Sequence, residues 1–251
     1  MSLVVRKFPS REALGQGAAR DVAAAIRGRL ETAGLVRIIF ACAPSQESTL
    51  RALAAEPGID WPRVVAFHMD EYIGLSSDAP QRFGAWLRRT LLDHVPCGDA
   101  RFIEPEPDPD RAAREYGEHL AAAPIDIVCL GIGVNGHLAF NDPPADLADP
   151  SPARVVALSI ESRRQQVSDG CFETLDAVPT RAITLTVPRL LAADEVFAMV
   201  PGRDKRDAVA RALRDPVSGD HPATALRAHS RCTLYLDAGS APDAPDGPTT
   251  R

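Results

Sequence analysis

The sequence predicts an α/β fold, a doubly wound and mostly parallel sheet with helices on both faces. Three observations carry this. Short apolar runs recur along the 251 residues without polar alternation, as strands buried on both faces require. Segments with apolar residues at helical spacing separate them, the alternation expected of βαβ units. Polar stretches follow several predicted strand ends, where open α/β sheets keep their ligand crevice.

Taken in order, "LVVRKF" is a short strand, and "SREALGQGAARDVAAAIRGRLETAG" is a capped amphipathic helix ending at Gly34. "VRIIFACA" is a continuous apolar strand, followed by the helix "SQESTLRALAAEPG", closed by Pro57 and Gly58. "RVVAFHM" is strand-like and "DEYIGLSSDAP" a loop, after which Phe83, Trp86, Leu87, Thr90 and Leu91 have helical spacing. "RFIEP" is a short strand before the helix "DPDRAAREYGEHLAAA", and "IDIVCLGIG" is the most hydrophobic strand. Beyond it come the strand "RVVALSI", a helix over 162–176, the strands "RAITLTV" and "EVFAMV", the helix "RDKRDAVARALRD" and the strand "CTLYLD". This pattern predicts one domain over 1–238 and a disordered Pro-, Gly- and Asp-rich tail over 239–251.

A formal charge of -6 argues against a general nucleic-acid surface, which needs clustered positive charge. No apolar run approaches the roughly 20 residues of a membrane span. "MSLVVRKFPSREALG" has no apolar core followed by a small-residue cleavage site. Cys42, Cys97, Cys129, Cys171 and Cys232 are scattered, without C-x-x-C or zinc spacing, which predicts reduced thiols, no metal and a cytoplasmic location.

Four polar stretches follow strand ends: "APSQES", "HMDEY", "GVNGHLAFNDP" and "PGRDK". A histidine near neutral pKa suits proton movement on a sugar hydroxyl, so His137 is a candidate acid–base group. Its neighbour Gly136 is a candidate substrate contact, because glycine lets backbone and ligand approach closely. Asp142 can orient the ring, or simply form a turn with Asn141 and Pro143. Asp70 and Glu71 are adjacent acids after a hydrophobic strand; a partly desolvated carboxylate there can take a carbon-bound proton, or cap a helix instead. Ser45 sits at a helix start suited to phosphate and is equally a plain N-cap. Arg203 and Lys205 bring cations to a second such junction.

"FHMDEYIGL" at 67–75 and "GIGVNGHLAFNDPP" at 131–144 resemble the glucosamine-6-phosphate deaminase/isomerase family, whose superfamily also holds the 6-phosphogluconolactonases. The match in order and spacing spans about residues 3 to 238 and implies a modified Rossmann-like fold. The lactonase branch typically follows its G-x-G-x-x-G-H core with an A-S-L-F-P type sequence, whereas this chain has "LAFNDP". The resemblance implies chemistry without metal or organic cofactor, on a small-molecule sugar phosphate. His137 would open the pyranose ring, Asp70 would take the C2 proton, and Asp142 would support the histidine. A cis-enediol-type intermediate would be reprotonated at C1 and C2 would lose ammonia, giving fructose 6-phosphate from glucosamine 6-phosphate. Ser45 and Lys205 align with phosphate-contacting positions. A homo-oligomer is compatible with the resemblance.

Several positions depart from the pattern. Family members usually carry an acid just before the glycine at 136, where this chain has Val134 and Asn135. Asn135 can hydrogen-bond an imidazole but cannot offset its charge, a loss of about 1–3 kcal/mol of imidazolium stabilisation. "ACAPSQES" lacks the Gly-Gly-Thr type turn, and Pro44 has no N–H donor. Neither Arg163 nor Arg164 falls in register with the phosphate arginine of the family. A sugar-lactone hydrolase and a sugar-phosphate-binding protein with an eroded site are the alternatives.

Overall fold

Residues 3–242 are described in the computed structural model. They form strands β1 (Val4–Lys7), β2 (Val36–Phe40), β3 (Val64–His68), β4 (Asp70–Tyr72), β5 (Asp99–Arg101), β6 (Ile127–Leu130), β7 (Ala153–Ala157), β8 (Arg181–Leu185), β9 (Glu195–Val200) and β10 (Cys232–Leu236). The helices are α1 (Arg11–Leu30), α2 (Glu47–Ala54), α3 (Phe83–Thr90), α4 (Pro109–Ala121), α5 (Ile160–Ser168), α6 (Val187–Leu191) and α7 (Arg206–Arg214). Seven strands make one sheet in the order β1-β10-β9-β6-β2-β3-β5, and every neighbouring pair in it is parallel.

Strand periodicity divides the core between the two faces of this sheet. Val36, Ile38 and Phe40 of β2, with Ile127 and Cys129 of β6, pack with Leu14, Val22 and Ile26 of α1 and Leu50 of α2. Ile39, Val128 and Leu130 point the other way, into a cluster with Tyr116 and Leu120 of α4 and Val209 of α7. Helix α1 starts where Ser10 Oγ accepts the Ala13 N–H at 3.2 Å, and its buried residues repeat at intervals of three and four. Asp108 caps α4 in the same way, accepting the Arg111 N–H at 3.0 Å, with Pro109 in the first turn.

The α/β reading stands, with one architectural difference. "RVVALSI" and "RAITLTV" do form strands, but β7 and β8 pair antiparallel with each other in a separate sheet, and β4 completes it in the order β4-β8-β7. The expected loop over 70–80 therefore begins as a strand: Asp70 pairs with Thr184, Glu71 with Ile183 and Tyr72 with Ala182. A three-residue edge with no alternation of its own carries no strand signal in sequence. The short strand expected at "RFIEP" lies earlier, at β5, because the Ile103 N–H bonds to His68 Nε2 at 2.8 Å instead of a strand neighbour. The helix expected over 162–176 is α5, which begins earlier and stops before Gly170, whose φ is +75°. The fold also runs past residue 238: Ser240 is fully buried and its N–H donates to Asp237 Oδ1 at 2.8 Å. The rest of the expected disordered tail, 243–251, lies outside the described residues.

Candidate active site

Strands β9, β6, β2 and β3 are consecutive neighbours, and the four polar stretches follow their carboxyl ends. From β2 the sheet grows outward through β3 and β5, then resumes on the opposite side of β2 with β6. That reversal creates the crevice in which open α/β sheets bind ligands. A cleft of about 540 Å³, open mouth included, lies there, and Ser45, Asp70, His137 and Lys205 all line it.

Asp70 stands at the seam of the two sheets. β3 ends at His68, and one residue later the chain has joined the antiparallel sheet, with Met69 O accepting the Leu185 N–H at 2.8 Å. The side chain is buried, and that desolvation, reinforced by the charge of Glu71, raises its carboxyl from the ordinary 3.8 to about 8. A carboxylate so weakly stabilised is a stronger base than a surface aspartate and is suited to a carbon-bound proton.

His137 is held by a compact turn. Gly133 N–H donates to His137 O at 3.0 Å, and the imidazole lies against the Gly133 α-carbon so closely that a Cβ there would meet Cε1 and Nε2 at 2.2 Å. His137 Nδ1 is 3.3 Å from Asp142 Oδ1 and 3.2 Å from Ser162 Oγ. Ser162 donates its hydroxyl to Asp142 Oδ1 at 2.6 Å, so its oxygen is an acceptor toward the ring. Two acceptors on Nδ1 assign the proton to that nitrogen and leave Nε2 with its lone pair. Burial alone would raise the Asp142 carboxyl, but the His137 bond and charge outweigh it, helped by Ser162 and Asn135, and the net shift is downward. Asp142 is thus a fixed anion beneath the imidazole.

Asn135 acts differently from the sequence expectation. Its Nδ2 donates to Asp142 Oδ1 at 3.0 Å and its Oδ1 accepts the His137 backbone N–H at 3.1 Å, so it braces the turn and the carboxylate rather than the ring. Three expected substrate contacts also fall elsewhere. Glu71 is fully buried and accepts the N–H groups of Tyr72, Phe83 and Gly84 at 3.0, 3.1 and 3.0 Å, capping α3 from the neighbouring strand. Gly136 (φ +88°) packs against the His221 ring, 2.2 Å from where its Cβ would be, which explains the glycine without a ligand. Arg203 is exposed and does not line the cleft. Arg163 is occupied by Leu175 O and Val178 O, at 2.6 and 3.1 Å.

Residues 9–235 match the family model for glucosamine-6-phosphate isomerases/6-phosphogluconolactonase. The chain belongs to this family. A glucosamine-6-phosphate deaminase of Corynebacterium aurimucosum is 32% identical over 247 residues, 96% of this chain and 93% of that protein. One from Shouchella clausii is 30% identical over 229 residues, 88% and 91% of the two chains. Among solved structures, a monomeric glucosamine-6-phosphate deaminase of the NagB superfamily superposes with a TM-score of 0.87 at 27% identity, covering 95% of this chain and 98% of its own. A 6-phosphogluconolactonase from Shewanella baltica shares the fold, with a TM-score of 0.77 at 19% identity over 94% and 98% of the chains.

Within this member of the glucosamine-6-phosphate isomerase family, the cleft also contains residues that the sequence reading passed over. Gln46, Gln165 and Gln166 line it, as do Phe83 and Phe140. Gln166 Oε1 accepts the Tyr72 hydroxyl at 2.7 Å and Gln165 Oε1 accepts the Val134 N–H at 3.1 Å, so α5 is tied to β4 and to the turn that carries His137. The run "ESRRQQ" offered the only signal: amides beside cations on a polar helix.

Proposed function

We propose that this chain catalyses aldose–ketose isomerisation with deamination of an amino-sugar phosphate, converting glucosamine 6-phosphate to fructose 6-phosphate and ammonia. The observation that carries this reading is a buried carboxyl raised to about 8 and an imidazole with a free Nε2 on one cleft. His137 takes the proton of the anomeric hydroxyl and delivers one to the ring oxygen, opening the sugar, while Asp142 compensates the charge that forms on the ring. Ionised Asp70 then takes the C2 proton. Protonation at C1 leaves an imine at C2, which water converts to the ketone with release of ammonia.

Ammonia release from glucosamine 6-phosphate is the primary test. Hydrolysis of 6-phosphogluconolactone without any ammonia-releasing activity would replace this reading with the lactonase one. His137→Gln should slow the cyclic sugar far more than an open-chain analogue, and equal slowing would remove the ring-opening role.

A further inference from the structure

Among the described residues lining the cleft, Lys205 is the one cation, and it is already flanked by carboxylates. Its Nζ lies 3.5 Å from Asp204 Oδ2, Asp169 adds a second negative field, and the side chain is buried. The adjoining hollow, which shares Cys42 and Phe83 with the cleft, is lined by both Arg89 and Asp169 and adds no net charge. A phosphate monoester brings about 1.5 to 2 negative charges at neutral pH.

Several backbone donors of the two turns are already taken, although the Ser45 N–H is not among them. Anion sites at strand-to-helix turns work through N–H groups left free by the helix. Here Pro44 has none, the Gln46 N–H is bonded to Ala43 O at 2.8 Å, and the Glu47 N–H to Pro44 O. At the second turn the Gly202 N–H is held by both oxygens of Asp237 at 3.1 Å, and the Lys205 N–H by Gly202 O at 3.2 Å. Gln46 adds a third observation. It is 1% exposed and lines the cleft; its Nε2 donates to Met199 O at 3.0 Å and Ser45 Oγ at 3.1 Å, which sets the orientation of the amide and leaves Oε1 without a donor. A hydroxyl can supply that proton and a phosphate dianion cannot.

We infer that the far end of this cleft is built for a hydroxyl as readily as for a phosphate, so that unphosphorylated 2-amino-aldohexoses are substrates of the same site. This rests on the deaminase reading and extends it. The reaction balances without a redox partner: an amino-aldohexose and water give a ketohexose and ammonia, as the C2 proton passes to Asp70, C1 gains one, and water displaces nitrogen from C2.

The test compares kcat/KM for ammonia release from glucosamine and glucosamine 6-phosphate, alongside calorimetric Kd values for both sugars on the Asp70→Asn protein. A premium for the phosphate of about tenfold or less is expected, the scale of one screened ion pair. A larger premium in either measurement, or binding of neither sugar, overturns the inference. Should the phosphorylated sugar alone be deaminated, the deaminase reading survives and this extension fails. Should neither release ammonia, the deaminase reading fails, and the ratio of the two Kd values decides the character of the far end by itself.

Discussion

Replacing Asp70 by asparagine isolates the energetic cost of a buried carboxylate from the shape of the side chain. In the folded chain, burial and the charge of Glu71 raise the Asp70 carboxyl from 3.8 to about 8. The unfolded chain releases the same proton near its ordinary value of about 3.9. Between the two values the folded state holds a proton that the unfolded state has lost, so rising pH favours unfolding until the folded group has also ionised. From pH 5 to pH 9 that amounts to about 3 pH units at about 1.36 kcal/mol each, or about 4 kcal/mol. Asparagine does not titrate and escapes this loss. Any fixed cost of the amide cancels when the difference between the two proteins is followed across pH, and Glu71 is present in both. Urea unfolding of both proteins at unit steps over this range should show the variant gaining about 4 kcal/mol relative to the parent. A difference constant to within about 1 kcal/mol would refute the raised carboxyl and the strong base with it. The same titration governs rate. Parent kcat/KM should climb about tenfold per pH unit from pH 6 and level off near pH 8, while the variant exchanges no C2 hydrogen with solvent.

Three further substitutions separate the roles around the site. Gly133→Ala puts a methyl 2.2 Å from His137 Cε1 and Nε2, so the imidazole must move; kcat should fall at least about a hundredfold with the denaturant midpoint little changed. Ser162→Ala removes the hydroxyl shared by Asp142 and His137, and steady-state kinetics should show kcat down about tenfold at nearly constant KM, with recovery in Ser162→Thr. Glu71→Ala strands three buried N–H groups, while Arg82 keeps its bond to Glu104, and unfolding experiments should show a loss of about 3–5 kcal/mol.

The parts of this site that were legible in the sequence share one property: each lies directly after an apolar strand. Ser45, Asp70, His137 and Lys205 follow β2, β3, β6 and β9, and a parallel sheet with its helices on both faces sends all four loops to the same edge. The spacing left Asp142 open between a turn and a partner for His137, and the structure puts its Oδ1 3.3 Å from His137 Nδ1. What stayed hidden depends on contacts distant along the chain. Glu71 looks like a second active-site acid until Phe83 and Gly84, a dozen residues on, turn their N–H groups toward it. Ser162 enters the His137–Asp142 system from a helix whose start is displaced from the polar pattern that announced it. Gly136 reads as a ligand-facing glycine because the His221 ring that occupies its missing side chain comes from far downstream.

The small antiparallel sheet was the largest omission, and it buries the Asp70 carboxyl and raises it. Had residues 70–80 been the solvated loop that their polarity suggests, Asp70 would keep an ordinary carboxylate pKa and be a poor acceptor for a carbon-bound proton. Pairing of Asp70 with Thr184 draws the aspartate out of solvent, and the same strand buries Glu71 beside it, supplying both causes of the upward shift. Glu71 tolerates burial because α3 offers it N–H donors and Arg82 a counter-charge, whereas burial and the charge of Glu71 both act on Asp70 to raise its carboxyl. Burial therefore raises both acids of one three-residue strand. Asp70 faces the cleft with nothing to oppose the rise, while for Glu71 the N–H groups of Tyr72, Phe83 and Gly84 and the Arg82 charge oppose it and tie the helix behind the cleft to the strand.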